Sequence, residues 1–175
     1  MLQSDRINLV KPDMDLVSAV HTATNESREQ LQKYLTWVQS ALDEPEKHML
    51  EAIENHKNFS NELRFYILEQ RHSQVVGTIG LIIRDAEVPF FEIGYWIRSS
   101  QTGKGYITEA VQLLESYAFN KLQANRLEIR MAKCNSKSKA VAERTGYLFE
   151  AKLKNERRLP TGELSDTLVY RKLEL

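Results

Sequence analysis

Six residues, Gln101-Thr102-Gly103-Lys104-Gly105-Tyr106, join an apolar run at Phe90–Ile97 to a helical pattern at Ile107–Lys121. The order predicted is therefore strand, glycine turn and helix. Two glycines two positions apart let the backbone approach a ligand closely, and the start of a helix adds unpaired N–H groups and a positive dipole end. The combination predicts a phosphate-binding loop, although a Gly-x-Gly turn also occurs as a plain tight connection.

Two well-known phosphate loops do not fit this stretch. A P-loop requires Lys-Ser/Thr after its last glycine, whereas Tyr106 and Ile107 follow Gly105. The dinucleotide fingerprint requires a third small residue where Thr108 stands, and the acidic partner for the ribose is missing. The predicted diphosphate therefore belongs to another kind of ligand.

The composition is that of one ordinary globular domain. The chain has 175 residues, 42% hydrophobic and 27% charged, which predicts a single domain over residues 1–175. Lys plus Arg and Asp plus Glu both number 24, so no global charge favours nucleic acid or an anionic membrane. The longest apolar run, around Val75–Ile83, is too short to span a bilayer, and no signal segment begins the chain, so a cytoplasmic protein is expected. One cysteine, Cys134, and four scattered histidines argue against a disulfide and against a metal site.

The first sixty residues predict one strand followed by helices. Arg6–Val10 alternates polar and apolar residues, as a short strand does. The segment from Asp13 to about Gln39 predicts two helices, separated at Asn25-Glu26-Ser27. Pro45–Phe59 predicts a further helix, with His56 at the edge of the core.

The remainder of the chain alternates strands with two helices. Strands are predicted at Arg64–Glu69, Gln74–Arg84, Phe90–Ile97, Arg126–Met131, Tyr147–Leu153 and Asp166–Lys172. The first three form an antiparallel meander, and the fourth follows a helix, so it can pair in parallel with the Phe90 strand. A second strand-to-helix joint contains Asn135 and Ser136, either of which could be the N-cap. The predicted fold class is α+β, with a mixed, mostly antiparallel central sheet of about seven strands and helices on both faces.

Three local motifs carry a family resemblance that covers nearly the whole chain. They are Glu92-Ile93-Gly94-Tyr95-Trp96-Ile97, the Gln101–Tyr106 loop matching Gln/Arg-x-x-Gly-x-Gly/Ala, and Asn135-x-x-Ser138 followed by Val141-Ala142 and Gly146-Tyr147. These motifs and the order of elements resemble the GNAT N-acetyltransferases, and within them the RimJ/RimL-like group that acetylates N-termini of ribosomal proteins.

The resemblance implies direct transfer of an acetyl group from acetyl-CoA to a primary amine. The favoured acceptor is a ribosomal-protein or peptide N-terminal α-amine. Two alternatives stay open: acetylation of small-molecule amines such as polyamines, antibiotics or amino-acid derivatives, and a non-catalytic acyl-CoA-binding regulator. Family members often dimerise, so a homodimer is possible.

The same resemblance implies where acetyl-CoA binds. Its diphosphate is expected on the N–H groups from Thr102 to Tyr106, and its pantetheine amides on backbone groups in a gap between the Phe90 and Arg126 strands. Gly94 would permit a bulge there or serve close packing, and Lys104 and Lys139 would assist the phosphates or be merely solvated. The implied contacts are Ile93, Tyr95, Trp96, Ile97, Gln101, Thr102, Gly103, Lys104, Gly105, Tyr106, Ile107, Asn135 and Ser138.

The implied catalytic residues surround the thioester. An N–H group near Tyr95 to Ile97 would stabilise the oxyanion, and Ser138 would protonate the leaving thiolate. The glutamate base of RimL-like proteins aligns with Arg157 here, so Glu156, one residue earlier, and Glu92 are the candidate bases, with a surface salt bridge as the alternative for each. At pH 7 an α-amine costs only about 1.2 kcal/mol to deprotonate, against about 4.6 kcal/mol for a lysine, so an N-terminal acceptor needs little base.

The sequence says least about the residues that bind the amine acceptor. The helices between Glu26 and Phe59 are expected to cover it, with Tyr34, Trp37 or Phe59 as lining or as core. A predicted loop at 155–162 faces it from the other side, and its mixed charge does not select acidic or basic acceptors.

Overall fold

The computed structural model describes residues 2–174 and is built around one eight-stranded sheet. The strands are β1 (Leu2–Gln3), β2 (Ile7–Val10), β3 (Glu62–Glu69), β4 (Gln74–Asp85), β5 (Phe90–Ile97), β6 (Arg126–Ala132), β7 (Leu148–Arg158) and β8 (Leu164–Leu173). The helices are α1 (Val17–Glu26), α2 (Arg28–Leu31), α3 (Val38–Asp43), α4 (Pro45–Asn58), α5 (Tyr106–Leu122) and α6 (Ser136–Arg144). The sheet order is β1-β2-β3-β4-β5-β6-β8-β7, and among the described strands only the β5–β6 pair is parallel.

The predicted α+β architecture is confirmed, with one strand more than expected. The additional strand is β1, which pairs Leu2 with Leu9 and Gln3 with Asn8. Two residues are too few to show an alternating pattern, and such a strand forms only because β2 offers it an edge. The meander of β3, β4 and β5 and the parallel placement of β6 are as predicted.

The segment from Asp13 to Gln39 differs from the two predicted helices. It contains α1, the single turn α2, and the start of α3 at Val38. Ser27 accounts for the break after α1, because its hydroxyl donates to the Ala23 carbonyl at 2.7 Å and accepts the Ser99 N–H at 3.0 Å. A side chain that bonds backbone groups in this way competes with helix continuation. The helix is thereby fixed to the segment that follows β5.

Helices cover both faces of the sheet. On one face α5 buries Ala110, Val111 and Leu114 completely against the strands. On the other face Val38 of α3 and Trp96 of β5 belong to a second buried cluster. Burial of apolar surface on both sides holds the strands as a central layer.

The sheet opens between β5 and β6. Their parallel pairing joins only Phe90–Glu92 to Arg126–Glu128. Beyond Glu92, β5 stays paired with β4 as far as Ile97, whereas β6 stays paired with β8 as far as Ala132. The two strands therefore diverge from Ile93 onwards.

The opening needs no extra residue in β5. Gly94 lies opposite Gly80 in unbroken register, and the register shift in the β4–β5 pair lies between Ile83 and Asp85. Of the two alternatives for Gly94, the bulge is therefore wrong, because β6 diverges from β5 while β5 continues in register with β4. Within residues 2–174, no helix is both long and apolar enough to cross a bilayer.

Candidate active site

The glycine loop has the geometry of an anion site. Gly103 and Gly105 have φ angles of 78° and 83°, in the left-handed region that favours glycine. Among the described residues, the N–H groups from Gly103 to Thr108 find no protein acceptor, whereas the Thr102 N–H, predicted to bind the diphosphate, donates to the Ser99 carbonyl at 3.4 Å. The last three of these belong to the first turn of α5, where the helix dipole is positive. This run of free donors fits a diphosphate.

Arg6 holds the loop from outside. Its Nη1 donates to the Lys104 carbonyl at 3.0 Å, and its Nε donates to the Glu109 carboxylate at 2.9 Å. The guanidinium carbon also lies 5.1 Å from the centre of the Tyr106 ring. The N-terminal segment thus fixes the loop, although 98 residues separate Arg6 from Lys104 and no local pattern reveals the contact.

Four cationic side chains of the described residues line the pocket beside this loop, and one of them is Arg6. Lys104 lies there with its Nζ 2.7 Å from Gln101 Oε1, and α6 contributes Lys137 and Arg144. Lys139 lies outside this pocket, with its Nζ 3.6 Å from Glu143 Oε1. Helical spacing separates Lys137 from Lys139, since residues two apart face different sides of a helix.

The opening between β5 and β6 exposes backbone groups of β5. The Arg98 N–H donates to the Val76 carbonyl at 2.7 Å, and alternation along an antiparallel pair turns Gly94 and Trp96 towards β4 as well. The backbone groups of Ile93, Tyr95 and Ile97 consequently face the opening. An extended ligand that carries amides can add there as a short strand.

Tyr95 and Ser138 form a hydroxyl pair at this opening. Tyr95 Oη lies 2.9 Å from Ser138 Oγ and 3.3 Å from the Ser138 carbonyl oxygen. Asn135 Oδ1 accepts the Ser138 N–H at 3.1 Å, so Asn135, and not Ser136, caps α6. Burial raises the pKa of Tyr95 to about 12, partly opposed by the hydrogen bond with Ser138. The phenol therefore keeps its proton at neutral pH.

A cavity of about 450 Å³ lies on the other side of this pair, between the sheet and the N-terminal helices. Tyr95, Trp96 and Ser138 contribute to its wall, together with Tyr34 and Trp37 from the helical region. Its size and mixed lining are typical of a small-ligand or peptide-end site. Phe59, the third predicted lining residue, instead packs edge-on against Phe91, with ring centres 6.4 Å apart.

The two candidate bases are both held in ion pairs. Glu92 lines the cavity, is 8% exposed, accepts from Arg84 Nε at 3.0 Å and lies 4.0 Å from Arg130 Nε. Glu156 lies outside the cavity wall, 2.8 Å from Arg130 Nη2, and accepts the Thr167 hydroxyl at 2.6 Å. The structure thus brings Glu92, but not Glu156, to the cavity with Ser138 and Tyr95.

The loop expected at 155–162 is largely strand. β7 continues to Arg158, with an irregular register between Leu153 and Arg157. Arg157 lines the cavity, whereas Glu156 does not. Sequence alone could not place these two neighbours, because the irregularity depends on the partner strand.

Glu62 is a cavity residue that sequence reasoning missed. Its Oε1 lies 2.5 Å from where a Cβ on Gly80 would stand, and its Oε2 is 2.6 Å from Arg64 Nη2. A glycine inside a strand often marks such a close approach, so Gly80 was the available signal. A carboxylate therefore lies on the sheet surface that floors the cavity.

Comparison with known proteins assigns this geometry to a family. Residues 6–148 match the acetyltransferase (GNAT) domain. The chain belongs to the GNAT acetyltransferase family. The resemblance predicted from the motifs is confirmed, and with it the fold and acetyl-CoA as the cosubstrate of this GNAT domain.

Curated relatives match over part of their length. The chain is 50% identical over 64 residues to the Bacillus subtilis (strain 168) "Putative ribosomal N-acetyltransferase YdaF", which is 37% of this chain and 35% of that protein. It is 36% identical over 63 residues to the ribosomal-protein-serine acetyltransferase of Escherichia coli (strain K12), 36% of this chain and 35% of that protein. The matched segments thus span about a third of the length of these two GNAT relatives.

Solved structures match over nearly the whole chain. RimL, a ribosomal L7/L12 α-N-protein acetyltransferase in complex with coenzyme A, has a TM-score of 0.90 at 24% identity, covering 97% of this chain and 95% of that one. The microcin C7 self-immunity acetyltransferase MccE, in complex with acetyl-CoA and AMP, has a TM-score of 0.89 at 23% identity, covering 98% and 94%. At these identities the likeness shows the shared fold.

Proposed function

We propose that this GNAT protein is an acetyl-CoA-dependent N-acetyltransferase whose acceptor is a ribosomal-protein or peptide N-terminal α-amine. The observation that carries the proposal is the opening between β5 and β6. It exposes the backbone groups of Ile93, Tyr95 and Ile97 between the free N–H groups of the glycine loop and the cavity of about 450 Å³. We assign this cavity to the acceptor and call it the acceptor cavity. The names of the Bacillus subtilis and Escherichia coli relatives support a ribosomal acceptor.

The residues at the opening divide the chemistry between them. The amine attacks the thioester carbonyl, so a C–N bond forms as the C–S bond breaks and no covalent enzyme intermediate is needed. A backbone N–H group of Tyr95 or Ile97, which face the opening, stabilises the oxyanion that develops. Ser138 donates its proton to the leaving thiolate, and the protonated Tyr95 hydroxyl, 2.9 Å away, replaces that proton.

Less catalysis is required of the general base than of the group that protonates the thiolate. An α-amine is already neutral in a useful fraction of molecules near pH 7, so a weak acceptor for one proton is enough. Glu92 is the better of the two predicted bases, because it lies in the cavity wall, whereas Glu156 is bound to Arg130 and Thr167 outside it. Glu62 offers a third carboxylate on the same surface.

A small amine is the second candidate acceptor. The specific observation in its favour is the cavity itself, because about 450 Å³ is large enough to hold a small molecule without a protein attached. A ribosomal acceptor would place this protein in the cytoplasm, and a homodimer is part of the same proposal because family members often dimerise. Light scattering coupled to size exclusion measures the second point directly.

Continuous thiol release from acetyl-CoA tests the proposal. The acceptors are peptides with free N-termini, the same peptides with blocked N-termini and free lysines, polyamines and aminoglycosides, with acetyl-CoA binding measured alongside. Turnover of free N-termini and loss of turnover on blocking them is the expected result. Turnover of small amines alone would contradict the peptide acceptor, and binding of acetyl-CoA without turnover of any amine would favour a regulator.

A further inference from the structure

Three arginines line the acceptor cavity, and they differ in their partners. Arg64 is paired with Glu62 at 2.6 Å, and Arg130 is paired with Glu156 at 2.8 Å. Arg157 has no carboxylate within 4.0 Å among residues 2–174. Arg157 is therefore the one cavity arginine, within the part of the chain that the structure describes, whose charge is left available to an anion.

The backbone of β7 directs Arg157 into the cavity. Leu153 pairs with Thr167 and Arg157 pairs with Ser165, so β7 carries two more residues than β8 over this interval. Asn155 sits in the irregularity with φ 51°, and its N–H donates to Asp166 Oδ1 at 3.2 Å. Irregularities of this kind re-aim side chains at functional sites.

One hydroxyl orients Arg157 and Glu156 together. Thr167, which is fully buried, donates its proton to Glu156 Oε2 at 2.6 Å and accepts from Arg157 Nε at 3.4 Å. The Arg157 guanidinium is therefore tethered through Nε, while its two terminal nitrogens have no protein acceptor among the described residues. Those nitrogens are the pair that binds a carboxylate through two parallel hydrogen bonds.

We propose that Arg157 binds a carboxylate of the acceptor, so that acceptors with an acidic group near the reacting amine are preferred. The inference rests on the proposed acetyltransferase function and names the acceptor class within it. The bound carboxylate belongs to the acceptor and not to acetyl-CoA. Arg157 lies in the acceptor cavity and not in the pocket beside Gly103 and Gly105, here called the glycine-loop pocket. A neutral acceptor gains no ion pair with the guanidinium and a basic acceptor is repelled by it, so the acidic acceptor is preferred to both.

Two kinds of acceptor carry this chemistry, and the experiment separates them. One is a peptide with Asp or Glu next to its N-terminal residue, and the other is an amino-acid derivative with a free α-carboxylate. The probes are C-terminally amidated peptides of one sequence with Asp, Asn or Lys at position two, and dipeptides with a free or an amidated carboxylate. The wild type is expected to use the Asp peptide or the free dipeptide acid at least tenfold better, by kcat/KM, than the neutral partner.

Substitution of two neighbouring arginines tests whether the preference for acidic acceptors depends on Arg157. Arg157→Gln is expected to lower kcat/KM about tenfold to a hundredfold for the acidic acceptor, to leave the neutral one within twofold, and to leave acetyl-CoA affinity unchanged. Arg158→Gln is the matched control, because Arg158 Nη1 donates to the Gly162 carbonyl at 2.6 Å, away from the cavity. Its preference is expected to equal that of the wild type.

Acceptor binding to the enzyme–CoA complex is followed in parallel through the fluorescence of Trp37 and Trp96, which line the cavity. Arg157-dependent binding of the acidic acceptor supports the inference whether or not turnover occurs. Equal use and equal binding of Asp and Asn probes by the wild type would overturn it, as would an equal loss for both probes in Arg157→Gln. Absence of turnover with every amine counts against the acetyltransferase proposal instead, and the binding result still decides for or against the role of Arg157.

Discussion

The two pockets of this protein are built in different ways. The glycine-loop pocket offers mainly backbone N–H groups from one continuous stretch, Gly103 to Thr108. The acceptor cavity offers side chains from strands and from the N-terminal helical region, far apart in sequence, among them Tyr34, Glu62, Glu92 and Arg157. A backbone site depends on conformation and tolerates side-chain change, whereas a side-chain site can be altered one residue at a time. Cofactor binding and acceptor chemistry should therefore respond to different mutations.

The largest expected effect is that of removing one hydroxyl at the boundary of the two pockets. Ser138→Ala should lower kcat about 100-fold or more, because the thiolate loses its proton donor, while acetyl-CoA affinity stays within twofold. Steady-state thiol release and calorimetric titration measure the two quantities. Ser136→Ala is the control, since Ser136 is not the cap of α6. Full turnover by Ser138→Ala would remove this serine from the mechanism.

The next effect concerns the burial of Tyr95 and appears at alkaline pH. Because the pKa of Tyr95 is raised to about 12 in the folded protein, the unfolded chain loses this proton near pH 10, before the folded one does. The contribution of Tyr95 to the free energy of unfolding should thus be constant below about pH 10 and fall between pH 10 and 12, by about 2 to 3 kcal/mol in total and about 1 kcal/mol by pH 11.

Urea unfolding at pH 9 and pH 11 measures this loss in the wild type and in Tyr95→Phe. Burial also raises the pKa of Tyr147, so part of the alkaline sensitivity should persist in the variant. The difference between the two proteins isolates Tyr95. Equal losses in both would mean that the phenol is not buried as described.

A substitution that alters only the conformation of the glycine loop should weaken acetyl-CoA binding without affecting the amine acceptor. Gly105→Ala places a side chain at φ 83°, which costs about 1 to 2 kcal/mol in the left-handed region, so the anion-binding conformation becomes less populated. Acetyl-CoA affinity should fall about tenfold with the KM for the amine unchanged. Gly162→Ala has the same strain at φ 90° in a turn outside both pockets and should bind acetyl-CoA normally. A fall in affinity for both variants would point to general destabilisation.

The smallest effect separates two lysines that the sequence treats alike. Lys104→Ala should weaken acetyl-CoA binding about threefold, because the backbone N–H groups still hold the diphosphate after one exposed charge is lost. Lys139→Ala should change nothing, since that side chain lies outside the pocket beside Glu143. The comparison is best made at low salt, where exposed charges are screened least. A larger loss of acetyl-CoA affinity in Lys139→Ala than in Lys104→Ala would contradict the position of Lys104 inside the pocket and of Lys139 outside it.

Sequence patterns predicted the strand and helix around the glycine loop well because the determinants of these elements are local. The run Phe90–Ile97 has the observed strand bounds, and the predicted turn at Gln101–Tyr106 is followed by α5. Glycine spacing and helical periodicity are read within one short window. The mixed sheet followed from the same patterns, because a strand that comes after a helix can pair in parallel.

The acceptor side resisted prediction for physical reasons. The direction of Arg157 depends on a register irregularity set by β8, and the place of Glu62 depends on the missing side chain of Gly80 in the neighbouring strand. The contact of Arg6 with Lys104 joins distant parts of the chain. Each is a cross-strand or long-range relation, which no window of consecutive residues contains.

The opening between β5 and β6 also has a mechanical consequence. Within residues 2–174, only three register pairs join the five strands before the opening to the three after it, so the sheet consists of two parts with a short connection. A ligand that hydrogen-bonds to β5 and also contacts α6 connects the two parts of the sheet. Its binding then stabilises the folded state by mass action. Amide hydrogen exchange should therefore slow in β6, β7 and β8 when acetyl-CoA is added, well beyond the residues that it touches. The cosubstrate would then act as a missing strand of the fold as well as a donor of the acetyl group.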